Sequence, residues 1–170
     1  MRQLYLNSCK KVGVIPVSLI SRQIGGPEMV MRSHSLGPLG ARAIAIALVD
    51  NKLVSSLDLE DNGLGPEGAI CIGEMLEQNS FLTYLSLREN LIGTEGLRAI
   101  CNGLKGNPTL QTLDLTGGVV LAAAIAVNDF VRILDVSWNH LRGNGAKAMG
   151  AALQKNIGLR RLRFIMEWLW

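Results

Sequence analysis

Three kinds of residue in this 170-residue chain could do chemistry: one glycine-rich turn, a few thiols and imidazoles, and a recurring set of carboxylates. Gly63-Leu64-Gly65-Pro66-Glu67-Gly68 has the G-x-G-x-x-G form that cradles a dinucleotide, with acidic Glu89 further on as a ribose acceptor. Against that reading, Gly65 and Gly68 recur as Gly37/Gly40 and Gly93/Gly96, and Leu64 falls on an apolar beat. Gly63 alone completes the pattern, and its equivalents are Ser35, Leu91 and His140. A repeated turn is the better account, and no cofactor is expected. His34 and His140 lack a Cys, His or carboxylate at ligand spacing, so neither metal binding nor acid–base catalysis is read from them. Cys9, Cys71 and Cys101 form an odd set with no C-x-x-C spacing. Cys71 and Cys101 fall inside apolar helical patterns, where cysteine acts as a small hydrophobe. No residue is assigned as catalytic or metal-binding.

The carboxylates Asp58, Glu60, Asp61, Asp114 and Asp135 belong to copies of one unit. From Leu57 to Asn79 the chain runs through an alternating pair (Leu57, Leu59), then Asn62 and Leu64, then a Gly-Pro-Glu-Gly turn. Apolar residues at helical spacing follow, at Ala69, Ile72 and Leu76. Strand segments of this pattern are Val54–Leu64, Leu82–Ile92, Leu110–Val120, Val131–Leu141 and Leu159–Leu169, after a degenerate copy at Met29-Val30-Met31. Asn51, Asn79, Asn107, Asn128 and Asn156 mark the helix ends at spacings of 28, 28, 21 and 28 residues. One strand and one helix per fixed period predicts a solenoid.

This pattern resembles the leucine-rich repeat superfamily in its 28-residue, ribonuclease-inhibitor-like form, over residues 27–170. More narrowly, Tyr5, Cys9-Lys10, Val12 to Ser18 and the Leu36-Gly37-Pro38 run into Ala43–Val49 are similar to the leucine-rich repeat-containing protein 74 group. The resemblance implies an α/β solenoid: a curved parallel sheet inside and helices outside. It also implies non-catalytic protein binding through the concave face or its rim. Relatives with this repeat include ribonuclease inhibitors, activators of small GTPases and innate-immune sensors. A regulator of a small GTPase or another enzyme is the alternative.

Residues 1–26 do not fit the repeat and are expected to form a short helical N-terminal cap, because a terminal repeat otherwise exposes its apolar face. Gly40, Gly68 and Gly96 are read as holding the turn before each helix. The fourth unit spans only 21 residues, from Leu113 to Leu134, so the solenoid is expected to be pinched there, with a short alanine-rich helix over Val119–Val127. The sixth unit stops at Trp170 with apolar residues, which suggests a truncated product, an unstable fragment of a longer solenoid, or self-association through an uncapped end.

Within each strand the residues flanking the inward leucines face away from the helices. They read Val30, Asp58, Ser86, Asp114, Asp135, Arg163 in the central column, with Arg32, Glu60, Arg88, Thr116, Ser137, Ile165 beside it. Ser56, Tyr84, Thr112, Ile133 and Arg161 lie on the other side, and Asp61, Glu89 and Trp138 one step past the strand. The candidate partner-binding residues are Asp58, Glu60, Asp61, Tyr84, Arg88, Asp114, Asp135 and Trp138, an acidic strip with two exposed aromatic anchors, suited to a basic protein segment. Asn62, Asn90 and Asn139 are expected to form a structural ladder.

A net charge of +3 is too mild to imply nucleic acid. Arg160, Arg161 and Arg163 before Trp168 and Trp170 read as an ordinary strand end rather than a membrane or nucleic-acid element. No apolar run reaches membrane-spanning length, and no export signal opens the chain. With unpaired cysteines, the expectation is cytoplasmic.

Overall fold

The computed structural model describes residues 1–116, 130–137, 144–163 and 165. The chain alternates strand and helix. Strands β1 (Glu28–Val30), β2 (Ser56–Asp58), β3 (Tyr84–Ser86), β4 (Thr112–Asp114), β5 (Ile133–Asp135) and β6 (Arg161–Arg163) form one parallel sheet in sequence order. Helices α3 (Gly37–Leu48), α4 (Gly65–Gln78), α5 (Gly93–Gly106) and α6 (Asn144–Lys155) lie between them. Two further helices, α1 (Arg2–Val12) and α2 (Ser18–Gln23), precede β1.

Each strand is short because only three residues per unit pair with their neighbours, the third register pair being Val30↔Asp58, Asp58↔Ser86 and Ser86↔Asp114. Met29, Leu57, Leu85, Leu113 and Leu134 sit in the middle of their strands and point inward, fully or almost fully buried. Opposite them, Ile44, Ile72 and Ile100, with Leu48, Leu76 and Leu104, supply the helical side of the core. Helix α4 starts with Pro66 where no N–H is needed and with Glu67 at its positive end.

The glycines divide the work differently from the sequence expectation. The turns into the helices are made by Gly37, Gly65 and Gly93, whose φ lies between 59° and 63°. Gly68 and Gly96 are already helical and press against the preceding helix; a Cβ on Gly96 would stand 2.6 Å from Ala69 Cβ. Helices α4 and α5 meet backbone to backbone, since a Cβ on Gly103 would collide with the Gly73 carbonyl oxygen.

Two asparagine columns support the loops. Asn62 Nδ2 donates to the carbonyls of Met31 (2.5 Å), Leu59 (2.9 Å) and Glu60 (3.0 Å), while its Oδ1 accepts from His34 N. Asn90 repeats the pattern one unit on, accepting from Asn62 N at 3.0 Å and donating to Leu59 O at 2.7 Å. The second column is one the sequence marks only as a rhythm. Asn79 donates to Leu48 O and Asn51 O and accepts from Phe81 N and Leu82 N; Asn107 does the same with Leu76, Asn79, Thr109 and Leu110. An amide serves in both places because it satisfies carbonyls and N–H groups at once.

At the shortened fourth unit the ladder continues in register, with Leu113 opposite Leu134 and Leu115 N donating to Asp135 O at 2.9 Å. The expected helix over 119–127 lies outside the described residues. At the other end, Tyr5, Cys9, Ile20 and Ile24 join the core from α1 and α2. The Tyr5 hydroxyl accepts from Val17 N at 3.1 Å, and burial, with a smaller contribution from Cys9, pushes its pKa up against the opposing Val17 bond. Gln23 Oε1 accepts from Val30 N at 2.9 Å and so occupies a donor on the edge strand β1.

Candidate protein-interaction face

The candidate face is the side of the sheet away from the helices. Its three central aspartates share one local bond. Asp58 Oδ1 accepts from Glu60 N (3.0 Å), Asp114 Oδ1 from Thr116 N (2.9 Å) and Asp135 Oδ1 from Ser137 N (2.9 Å). Each aspartate thus uses one oxygen on the backbone two residues ahead, a local turn that its short side chain favours. The outward oxygens then have different fates.

Asp58 Oδ2 receives Arg32 Nε at 2.7 Å, and the residue is only 3% exposed. Arg32 Nε also lies 3.5 Å from Glu60, and Arg88 Nε lies 3.3 Å from the other Glu60 oxygen. The pKa of Arg32 is raised, chiefly by its bond to Asp58. Around β1 to β3, then, the acids and bases neutralise one another. The expected acidic strip is not open at Asp58, because Arg32 from the neighbouring column closes it.

Around β4 to β6 the neighbouring column holds Thr116 and Ser137, which are short and buried. Asp114 forms no ion pair among the described residues, and its Oδ1 also accepts from Thr116 Oγ1 at 2.6 Å. Asp135 has Arg163 at 3.9 Å, with most of the arginine side chain exposed. A cavity of about 220 Å³ results, lined by Tyr84, Asp114, Ile133, Asp135, Arg161 and Arg163, among others. Tyr84 is half-buried rather than an exposed anchor, and burial, then Asp58 and Asp114, raise its pKa.

Asp61 and Glu89 are exposed at the strand ends with positive φ, and Asp61 accepts from Ser33 Oγ at 2.8 Å. The glycine-rich turn is shown by its geometry to be the unit's own: Ser35 (φ 49°), Gly63 (φ 61°) and Leu91 (φ 51°) share one conformation, and Leu64 is buried. His34 is exposed with Nδ1 2.6 Å from Arg32 O, so its ring does not enter the asparagine column. Trp138, Asn139 and His140, with Trp168 and Trp170, lie outside the described residues. Among the described residues no group of three His, Cys, Asp or Glu side chains could hold a metal, and no helix is long and apolar enough to cross a membrane. Cys101 is buried, which pushes its thiol up to about 12; Cys71 is half-buried and raised for the same reason.

The Leucine Rich repeat family profile matches residues 50–73, 78–101 and 127–150. Successive matches begin 28 residues apart and then one regular plus one shortened unit apart. Leucine-rich repeat-containing protein 74B of Mus musculus is 44% identical over 54 residues, covering 32% of this chain and 14% of that protein. The Homo sapiens protein of the same name is 45% identical over 51 residues, covering 30% and 13%. The match therefore spans about one seventh of those relatives' length. Among solved structures, a leiomodin-1 domain titled Actin-Binding Site 2 aligns with a TM-score of 0.53 at 15% identity, covering 88% of this chain and 76% of that one. The tropomodulin C-terminal domain of Caenorhabditis elegans aligns at 0.54 and 12%, covering 95% and 84%. Leucine-rich repeats generally serve protein interaction. With its matched repeats, its six-stranded parallel ladder and its outer helices, this chain carries leucine-rich repeats and folds as an α/β solenoid of that type.

Proposed function

We propose that the chain is a non-catalytic protein-interaction module that takes its partner on the concave face, at the part built by β3 to β6. The observation that carries this reading is Asp114, which lines a 220 Å³ cavity and has no cation within ion-pair distance among the described residues. An anion beside a half-buried tyrosine is a surface that gains from a cation brought by another molecule. Asp58, Glu60 and Arg88 serve this face indirectly, by neutralising one another. Residues 1–26 act as the cap of the solenoid at 27–170, and the three free thiols suit a reducing, cytoplasmic setting. The likeness to leiomodin is one of fold, so the partner is sought from this chain's own residues.

The test is site-specific photo-crosslinking in cell extract. A photoreactive side chain at Thr112, on the concave face, is compared with one at Glu74, on the outer helices. Adducts from position 112 that disappear with Asp114→Ala support the reading. Adducts from position 74 alone would place the partner on the convex side and sink it.

A further inference from the structure

The open part of the face carries both signs of charge, in order. Along the solenoid, Tyr84 on β3 is followed by Asp114 on β4, Asp135 on β5, and Arg161 and Arg163 on β6, all lining one cavity. Arg161 meets no carboxylate among the described residues, and Arg163 reaches Asp135 only at 3.9 Å with 64% of its side chain exposed. Neighbouring strands are about 4.8 Å apart, so the backbones of Asp114 and Arg163, in register across β5, stand two spacings, about 10 Å, from one another. Ile133 of β5 also lines the cavity. A purely basic segment satisfies Asp114 and then meets two guanidinium groups.

A polyproline II segment repeats its face every three residues and rises about 3.1 Å per residue, so side chains at i and i+3 project on one side about 9 Å apart. That span matches the backbone distance from Asp114 to Arg163 across β5. Resting on the concave-face reading above, we infer that the occupant is an extended protein segment carrying a basic and an acidic side chain three residues apart, lying across β4 to β6. Its cation sits on Asp114 beside Tyr84, and its carboxylate on Arg161 and Arg163. Such a segment crosses the strands instead of adding one between them, because β4 and β5 already pair on both sides.

The probes are capped proline- and serine-rich peptides titrated into isotope-labelled full chain and read by amide chemical shifts. One peptide carries Arg and Glu three residues apart; the controls carry the same pair adjacent, the Arg alone or the Glu alone. The spaced pair is expected to bind about tenfold more tightly than any control, since each charge-assisted contact contributes on that order. Its shifts should centre on Leu113, Asp114, Leu134, Asp135 and Leu162, and both Asp114→Asn and Arg163→Gln should remove the advantage. Thermal melts of both variants guard against lost folding.

If the Arg-only peptide binds as well and Arg163→Gln is silent, the two-charge inference is overturned while the concave-face reading stands. Shifts from no peptide, with crosslinking at Thr112 intact, overturn it in the same way. Loss of the crosslink as well removes both.

Discussion

Asp58 and Asp114 occupy the same place in two repeats, two strands apart in the sheet, and each uses one oxygen on the N–H two residues ahead. Asp58 is then closed by Arg32, which stands two residues past its register partner Val30. Arg88 stands in the same relation to Asp114, two residues past Ser86, yet its Nε lies 3.3 Å from Glu60. Glu60 therefore draws Arg88 toward β2 and leaves Asp114 open. Asp135 has Thr116 in the corresponding place, too short to reach it. A repeat that keeps its scaffold can thus build a self-neutralised surface and an open one from the same aspartate, and the neighbouring column decides which.

The largest effect should separate stability from binding. Asp58→Ala strips a buried turn of its acceptor and Arg32 of its partner, and is expected to cost about 1–3 kcal/mol. Asp114→Ala removes the acceptor of Thr116 N and Oγ1 but breaks no ion pair among the described residues, and should cost less than Asp58→Ala, about 1 kcal/mol, while weakening peptide binding. Denaturant unfolding measures both; equal losses would mean that the two regions are not different after all.

A smaller effect tests why they differ. Glu60→Ala frees Arg88 to turn to Asp114, and is expected to weaken binding of the spaced-charge peptide by about fivefold, the scale of one exposed ion pair. Adding Arg88→Gln should restore binding. If the double variant binds no better than Glu60→Ala, Arg88 does not compete for Asp114.

The smallest effect near neutral pH comes from the helical side behind the closed region. Burial holds the Cys101 thiol protonated up to about 12, against an ordinary value of 9.0. The unfolded chain loses that proton first, so stability is whole below pH 9.0 and declines as pH rises from 9.0 toward about 12. Cys101→Ala should flatten that part of the stability-against-pH curve. An unchanged slope would assign the alkaline loss to other groups.

The solenoid was legible in the residues because its signal is periodic: Leu57, Leu85, Leu113 and Leu134 recur at the beat of the strands, and burial requires them there. Even the 21-residue unit could be read, since Leu134 falls in register with Leu113. The column positions of Asp58, Asp114 and Asp135 followed from strand alternation. Their chemistry did not. An aspartate's surroundings depend on side chains one repeat away, so only the tertiary structure decided that Arg32 closes Asp58, that Glu60 holds Arg88, and that Asp114 faces a cavity. The same holds for Gly73 and Gly103, whose lack of side chains has meaning only where two helices meet. Periodicity is a property of one chain read in order; exposure and charge pairing are properties of neighbours brought together by the winding of the solenoid.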